Sequence, residues 1–261
     1  MVENVKLVDT SKCIGCRGCQ VACKQWNHLP AGSTQNTGTY QNPPDLQANT
    51  WTLVRFQEVS GTDGKVEWLF RKDGCMHCTD ATCEKLCPAG ARVHLDYGAI
   101  ARNDEKCVGC QACVVACPFA KPKFSEEENK VYKCGLCPDR VQNNLSPACV
   151  KACPTGALQF GKKEEILKLA YQRVKELGEE ASVYGDKFFG GTHVIYVLEK
   201  NVNLYKALPA QPKVASSVIF WKDLLKLGRP LEAGVGLAAR AASSFFTRRS
   251  QHISDQNTKA R

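Results

Sequence analysis

Sixteen cysteines fall into four quartets with none left over: Cys13, Cys16, Cys19 and Cys23; Cys75, Cys78, Cys83 and Cys87; Cys107, Cys110, Cys113 and Cys117; and Cys134, Cys137, Cys149 and Cys153. The first and third have the spacing C-x2-C-x2-C-x3-C. Such a loop wraps three thiolates round one corner of a cubic iron-sulfur cluster and points the fourth cysteine at another cluster. The chemistry of such centres is one-electron transfer. The chain is therefore expected to hold four [4Fe-4S] clusters, with iron bound through all sixteen cysteines.

Two other uses of cysteine are weaker. An even count would suit disulfides, but three sulfurs within seven residues converge on one centre more readily than they reach three distant partners. Structural zinc also uses C-x2-C pairs, usually two separated ones, and only the fourth quartet resembles that arrangement. A cluster with four thiolates leaves no iron open to substrate, and all four quartets are complete. No Ser-His-Asp set, glycine-rich phosphate loop or nucleotide fingerprint stands out. No catalytic residue is assigned, and the catalyst is expected on another chain. His77, inside Cys75-Met-His-Cys78, is read as a packing or supporting residue; His28 and His193 are read as structural.

The formal charge of +9 treats every cysteine as neutral. Counting sixteen thiolates against four oxidised cubane cores of about 2+ each brings the holo-protein to about +1. The basic excess then compensates for cofactors, the lysines are read as solvated surface groups, and nucleic acid is not expected as a partner.

The elements that must position these thiolates follow from the repeat. In two-cluster bacterial ferredoxins the fourth cysteine of each motif ligates the other motif's cluster. Applied here, an inner module would bind one cluster through Cys75, Cys78, Cys83 and Cys117, and another through Cys107, Cys110, Cys113 and Cys87. An outer module would use Cys13, Cys16, Cys19 and Cys153, then Cys134, Cys137, Cys149 and Cys23. The expected fold class is α+β, with two ferredoxin-like modules, one nested in the other. The outer module takes residues 1–30 and 130–162, an insertion with a β-hairpin 31–74, and the inner module 75–129. A helix and strand cap covers 163–215, and a basic tail covers 216–261.

Proline follows the last cysteine in three quartets, at Pro88, Pro118 and Pro154, whereas Lys24 follows Cys23. The last two cysteines of each motif are expected at the start of a short helix. Residues 51–56, 65–70 and 93–101 have strand character, 163–177 a helical period, and 190–198 that of a buried strand. Residues 29–49, rich in Gly, Pro, Asn, Gln and Thr, read as an ordered insertion or a docking loop. The tail from Lys222 carries eight basic and three acidic residues. Leu231, Val235, Ala238, Ala242, Phe245 and Phe246 share one helical face with Arg240 opposite. That stretch reads as an amphipathic helix on a membrane or partner, or as a helix on its own domain or a disordered end. The first ten residues have no apolar segment of a secretory signal.

Connecting segments carry a further signal: residues 16–27 (CRGCQVACKQWN), 41–46 (QNPPDL), 65–78 (KVEWLFRKDGCMHC), 148–157 (ACVKACPTGA) and 190–198 (GGTHVIYVL). With these, the chain resembles the four-cluster iron-sulfur subunits that accompany molybdopterin oxidoreductases, most closely the β subunit of formate dehydrogenases. The resemblance implies a catalytic partner with a molybdenum or tungsten bis-pterin cofactor, whose electrons from formate would run through four clusters. It also implies a cytochrome b or c acceptor. Respiratory relatives carry a membrane helix where this chain has Leu231 to Phe246, and Arg240 departs from that pattern. Membrane contact is accordingly placed in 218–249. Exported relatives travel on the catalytic subunit's twin-arginine signal, which places the chain on the periplasmic side, with the cytoplasm as the alternative. The same role beside a sulfur-compound, dimethyl sulfoxide or nitrate reductase is the nearest alternative function, and a zinc-stabilised nucleic-acid-binding module a distant one.

Overall fold

The computed structural model describes residues 3–61, 64–214 and 218. The expected amphipathic stretch from Leu231 to Phe246 lies outside the described residues. Among the described residues no helix is long and apolar enough to cross a membrane.

A four-stranded sheet forms the base of the molecule. Strand β1 (Asn4–Asp9) runs parallel to β10 (Val194–Leu198) and is flanked by antiparallel β8 (Leu158–Lys162), while β9 (Ser182–Tyr184) pairs antiparallel with β10. Strand alternation sorts its side chains onto two faces. Val5, Leu7, Ile195 and Val197 pack against Ile166 and Ala170 of helix α6 (Lys163–Leu177). Val8, Val194, Tyr196 and Leu198 point the other way, into a core shared with Cys19 and Cys149. The helical period at 163–177 coincides with α6, and the strand expected in 190–198 occupies its second half. All five residues of β10 are buried, as the unbroken apolar run Val-Ile-Tyr-Val-Leu requires of a strand covered on both faces.

The described residues also form three hairpins: β2 (Leu53–Ser60) with β3 (Val66–Asp73), β4 (Arg92–His94) with β5 (Ile100–Arg102), and β6 (Lys123–Ser125) with β7 (Lys130–Tyr132). The first two fall where strand character is expected. Short helices fill the rest: α1 (Gly18–Trp26), α2 (Thr82–Lys85), α3 (Ala112–Ala116), α4 (Pro138–Gln142) and α5 (Ala148–Lys151). Helix α1 packs on α5, and α2 on α3. Residues 29–49 have no helix or strand, yet they are tied down. Gln41 accepts from the amide of Phe56 through Oε1, and Asp45 pairs with Lys123 at 2.6 Å and with Arg55.

The expectation of two helical cysteines per quartet needs correction. It holds in α1, which contains Cys19 and Cys23. Helices α2, α3 and α5 carry only the third cysteine of their quartets, and Cys87, Cys117 and Cys153 follow the helix end. Proline disfavours helical backbone in the residue before it, and Cys117, before Pro118, is extended with φ −78° and ψ 113°. After Cys23 stands Lys24 instead, and α1 runs on to Trp26.

Candidate metal centres

The four quartets open on related turns. The second residue after the opening cysteine has a positive φ each time: Gly15 (69°), His77 (50°), Gly109 (69°) and Leu136 (66°). This bend folds the loop back on its own sulfur. The amides of Gly15, His77 and Leu136 donate to the sulfurs of Cys13, Cys75 and Cys134. At Gly109 the bend is also a close approach, because a Cβ there would lie 2.2 Å from the carbonyl oxygen of Asn129. The closing cysteines receive amides as well: Ala91 N–H donates to Cys87 Sγ at 3.2 Å, Lys121 N–H to Cys117 at 3.5 Å, and Leu158 N–H to Cys153 at 3.4 Å. Donors of this kind favour thiolate over thiol.

Tertiary folding regroups the sulfurs. Four cavities are each lined by four cysteines: Cys13, Cys16, Cys19 and Cys153; Cys23, Cys134, Cys137 and Cys149; Cys75, Cys78, Cys83 and Cys117; and Cys87, Cys107, Cys110 and Cys113. In every set three cysteines come from one quartet and one from another. The cavities hold about 300 to 390 Å³ of empty space, counting the part open to solvent. All sixteen thiols are free. Among the described residues no three cysteine, histidine or carboxylate groups converge tightly enough for a single metal ion. Four cysteines round each cavity match the ligand count of a cubane cluster.

Burial governs the thiols' acidity. Desolvation pushes Cys19, Cys23, Cys83 and Cys137 up to about 12 and also raises Cys13, Cys78, Cys110 and Cys117. Cys134 departs from this pattern. Burial pushes it up too, but the ammonium groups of Lys6 and Lys72, the Leu136 amide and Lys133 outweigh that and leave it lowered. Since the thiolate is the metal ligand, loading these cavities expels protons and makes metal binding part of the folding free energy.

Cations therefore belong to the site, and sequence reading missed them. Lys6, Lys72, Lys133 and Arg92 are 0, 2, 6 and 4% exposed, which corrects the reading of the lysines as solvated surface groups. Lys72 lines the cavity of Cys13, Lys133 that of Cys75, and Arg92 that of Cys107. Arg92 Nη2 donates to Cys113 Sγ at 3.5 Å, while its Nη1 and the Nζ of Lys6 are buried donors without a protein acceptor. Buried donors facing thiolates suit cofactors that bring acceptor sulfides. Only the adjacency of Lys133 to Cys134 was visible in the sequence.

His77 is fully buried, and its Nδ1 accepts from the amide of Ile100 at 3.0 Å, so it braces the loop of Cys75 and Cys78. His193 is likewise buried, whereas His28 is exposed at the end of α1. The segment 189–193 is laced to the loop of Cys75 and Cys78: Thr79 N–H donates to Gly191 O at 3.0 Å, Asp80 N–H to Phe189 O at 2.8 Å, and His193 N–H to His77 O at 2.9 Å.

Comparison with known proteins agrees with this chemistry. Two models described as 4Fe-4S dicluster domains match residues 12–91 and 66–163. The chain is 49% identical over 251 residues to the formate dehydrogenase-O iron-sulfur subunit of Escherichia coli K12, covering 94% of this chain and 82% of that one. It is equally identical to the iron-sulfur subunit of the nitrate-inducible formate dehydrogenase of the same organism, covering 84% of it. A third relative, the formate dehydrogenase 2 subunit beta (cytochrome c-553) of Nitratidesulfovibrio vulgaris Hildenborough, is 38% identical over 65% of this chain and 81% of its own. Two dicluster domains give the chain four [4Fe-4S] clusters as cofactors. With near-half identity across almost its whole length, the chain belongs to the family of formate dehydrogenase iron-sulfur subunits.

Proposed function

We propose that the chain is the electron-transfer subunit of a formate dehydrogenase complex, joining a molybdenum- or tungsten-pterin catalytic subunit to a cytochrome b or c acceptor. The observation that carries this reading is the presence of four separate cavities, each lined by four cysteines, in a chain of this family. Bound there, a [4Fe-4S] cluster supplies a one-electron centre with no open coordination position.

The ligand sets proposed are the four that line the cavities, each closed by one cysteine from a second quartet. The residues' own work is to exclude water, donate amide hydrogens to the thiolates and neutralise their charge. The contacts of α1 with α5 and of α2 with α3 support an outer module from the first and fourth quartets around an inner one from the second and third. The boundaries proposed are 1–30 with 130–162, and 75–129, with 31–74 inserted and 163–215 as the cap. A cytochrome acceptor is supported by the name of the Nitratidesulfovibrio relative. A position on the periplasmic side, reached together with the catalytic subunit, and membrane contact through 218–249 complete the proposal.

Purification of the chain with its natural partners tests it. The complex should reduce a dye with formate, and formate should bleach the iron-sulfur absorbance of this chain. A complex indifferent to formate removes the reading in favour of another molybdopterin oxidoreductase.

A further inference from the structure

Three of the four cavities are lined by a buried cation, and each of these cations also lies against a neighbouring cavity. Arg92 lines the cavity of Cys87, Cys107, Cys110 and Cys113 and donates to Cys113 Sγ, and its strand β4 packs on α2, which carries Cys83 of the next cavity. Lys133 lines that second cavity together with Cys75, Cys78, Cys83 and Cys117. Its Nζ donates to the carbonyl oxygens of Ile100, at 2.5 Å, and Cys134, at 3.2 Å, which places it against the third cavity. Lys72 lines the fourth cavity, and its Nζ shares the space beside Gly74 with the Trp51 carbonyl and Thr52 hydroxyl, two residues that line the third. Arg92, Lys133 and Lys72 thus each line one cavity and lie against the surroundings of the next.

We propose that Arg92, Lys133 and Lys72 are positioning residues for electron transfer, one fixed cation per gap, each setting the potentials of the two clusters that flank it. The inference rests on the ligand sets proposed above. Four thiolates on a 2+ core leave a cluster at about −2, and each arriving electron adds another negative charge. Away from water, Coulomb interactions between buried charges are strong and fall with distance. A cation between two clusters therefore favours the reduced form of either, and it favours both more than it favours clusters further along. Because the cation is shared, the energy of an electron differs less between the two sides than it would if the cation served one cluster alone. Lys6 adds a further ammonium beside Cys134.

The test is a redox titration of the purified complex, followed by electron paramagnetic resonance, with iron content measured on every sample. Neutral variants Lys72→Gln, Lys133→Gln and Arg92→Gln are compared with the charge-retaining Lys72→Arg, Lys133→Arg and Arg92→Lys. Each neutral variant should lower the midpoint potentials of two clusters and leave the other two in place. Lys72→Gln should move the clusters of Cys13 and Cys134, Lys133→Gln those of Cys134 and Cys75, and Arg92→Gln those of Cys75 and Cys107. The charge-retaining variants should restore them. Full iron with unmoved potentials, or an equal shift of all four clusters, overturns the proposal. If the neutral variants lose iron, retention of iron by the charge-retaining ones supports it. Loss from both shows that the sites need shape rather than charge, which also overturns it. A wild-type chain lacking four clusters would instead defeat the reading on which the proposal rests.

Discussion

His193 holds the carbonyl oxygen of His77 twice, from its ring Nδ1 at 2.8 Å and from its own amide at 2.9 Å. Through this one acceptor the turn Cys75-Met-His-Cys78 is pinned to the residue that precedes β10. The ring is fully enclosed, and the fit is tight enough that a Cβ on Gly98, whose φ is 96°, would lie 1.9 Å from it.

Replacing the ring by a methyl group should therefore destabilise the protein by roughly 2 kcal/mol through the cavity it leaves. His193→Ala should release iron first from the site of Cys75, Cys78, Cys83 and Cys117, whereas His193→Asn, which can still donate, should retain more of it. The pH dependence has a definite sign. Burial, ahead of the opposing pull of Glu3, lowers the affinity of His193 for a proton below its ordinary value of 6.5. As pH falls below about 6.5 the unfolded chain takes up a proton that the fold resists, so stability falls with it. Thermal unfolding between pH 7.5 and 5.5 should show this loss in the wild type and a smaller one in His193→Asn.

The two glycines at equivalent bends should not be equally replaceable. Gly109→Ala adds the cost of a left-handed alanine to a 2.2 Å clash with backbone at Asn129, together on the order of 3 kcal/mol. Gly15→Ala has the same φ, but its nearest neighbour is the Phe70 ring at 3.0 Å, which can yield, and about 1–2 kcal/mol is expected. Thermal melts of the two variants, with iron analysis, check the order.

Asp73 lies at the end of β3 and is fully buried. Its carboxylate accepts from Lys121 at 2.6 Å, from Arg71 at 3.2 Å and from Arg55 at 3.0 Å, and burial is overcome by these cations to hold it ionised. Asp73→Ala leaves Arg71 and Lys121 buried without their anion and should cost about 3–5 kcal/mol. Denaturant unfolding of the purified variant, or failure to accumulate, would show it; a change within 1 kcal/mol would count against the account of this cluster.

Much of the site was legible in the cysteine spacing, because a short loop has few ways to aim three sulfurs at one point. The prolines after Cys87, Cys117 and Cys153 were visible too, but their effect on helix ends needed the backbone. Strand β1 went unread, since Val5-Lys6-Leu7-Val8 is short and only its pairing with β8 and β10 makes it central. The buried cations were illegible for a related reason. Lys72 and Lys133 are ordinary lysines in the sequence, and only tertiary folding carries them between thiols.

The crossed ligand sets proposed above give another prediction. Cys153 stands on the cavity of Cys13, Cys16 and Cys19, and Cys23 on that of Cys134, Cys137 and Cys149. Cys153→Ser should alter the magnetic spectrum of the first of these clusters before the second, although Cys153 belongs by sequence to the quartet of Cys134. The opposite order would refute the crossed ligand sets.

The electron-transfer role depends most directly on what fills the four cavities. Iron, acid-labile sulfide and zinc should be measured per chain on anaerobically purified protein. Four cubane clusters predict about sixteen iron and about sixteen sulfide; about four zinc ions with no sulfide would contradict the electron-transfer reading at its root.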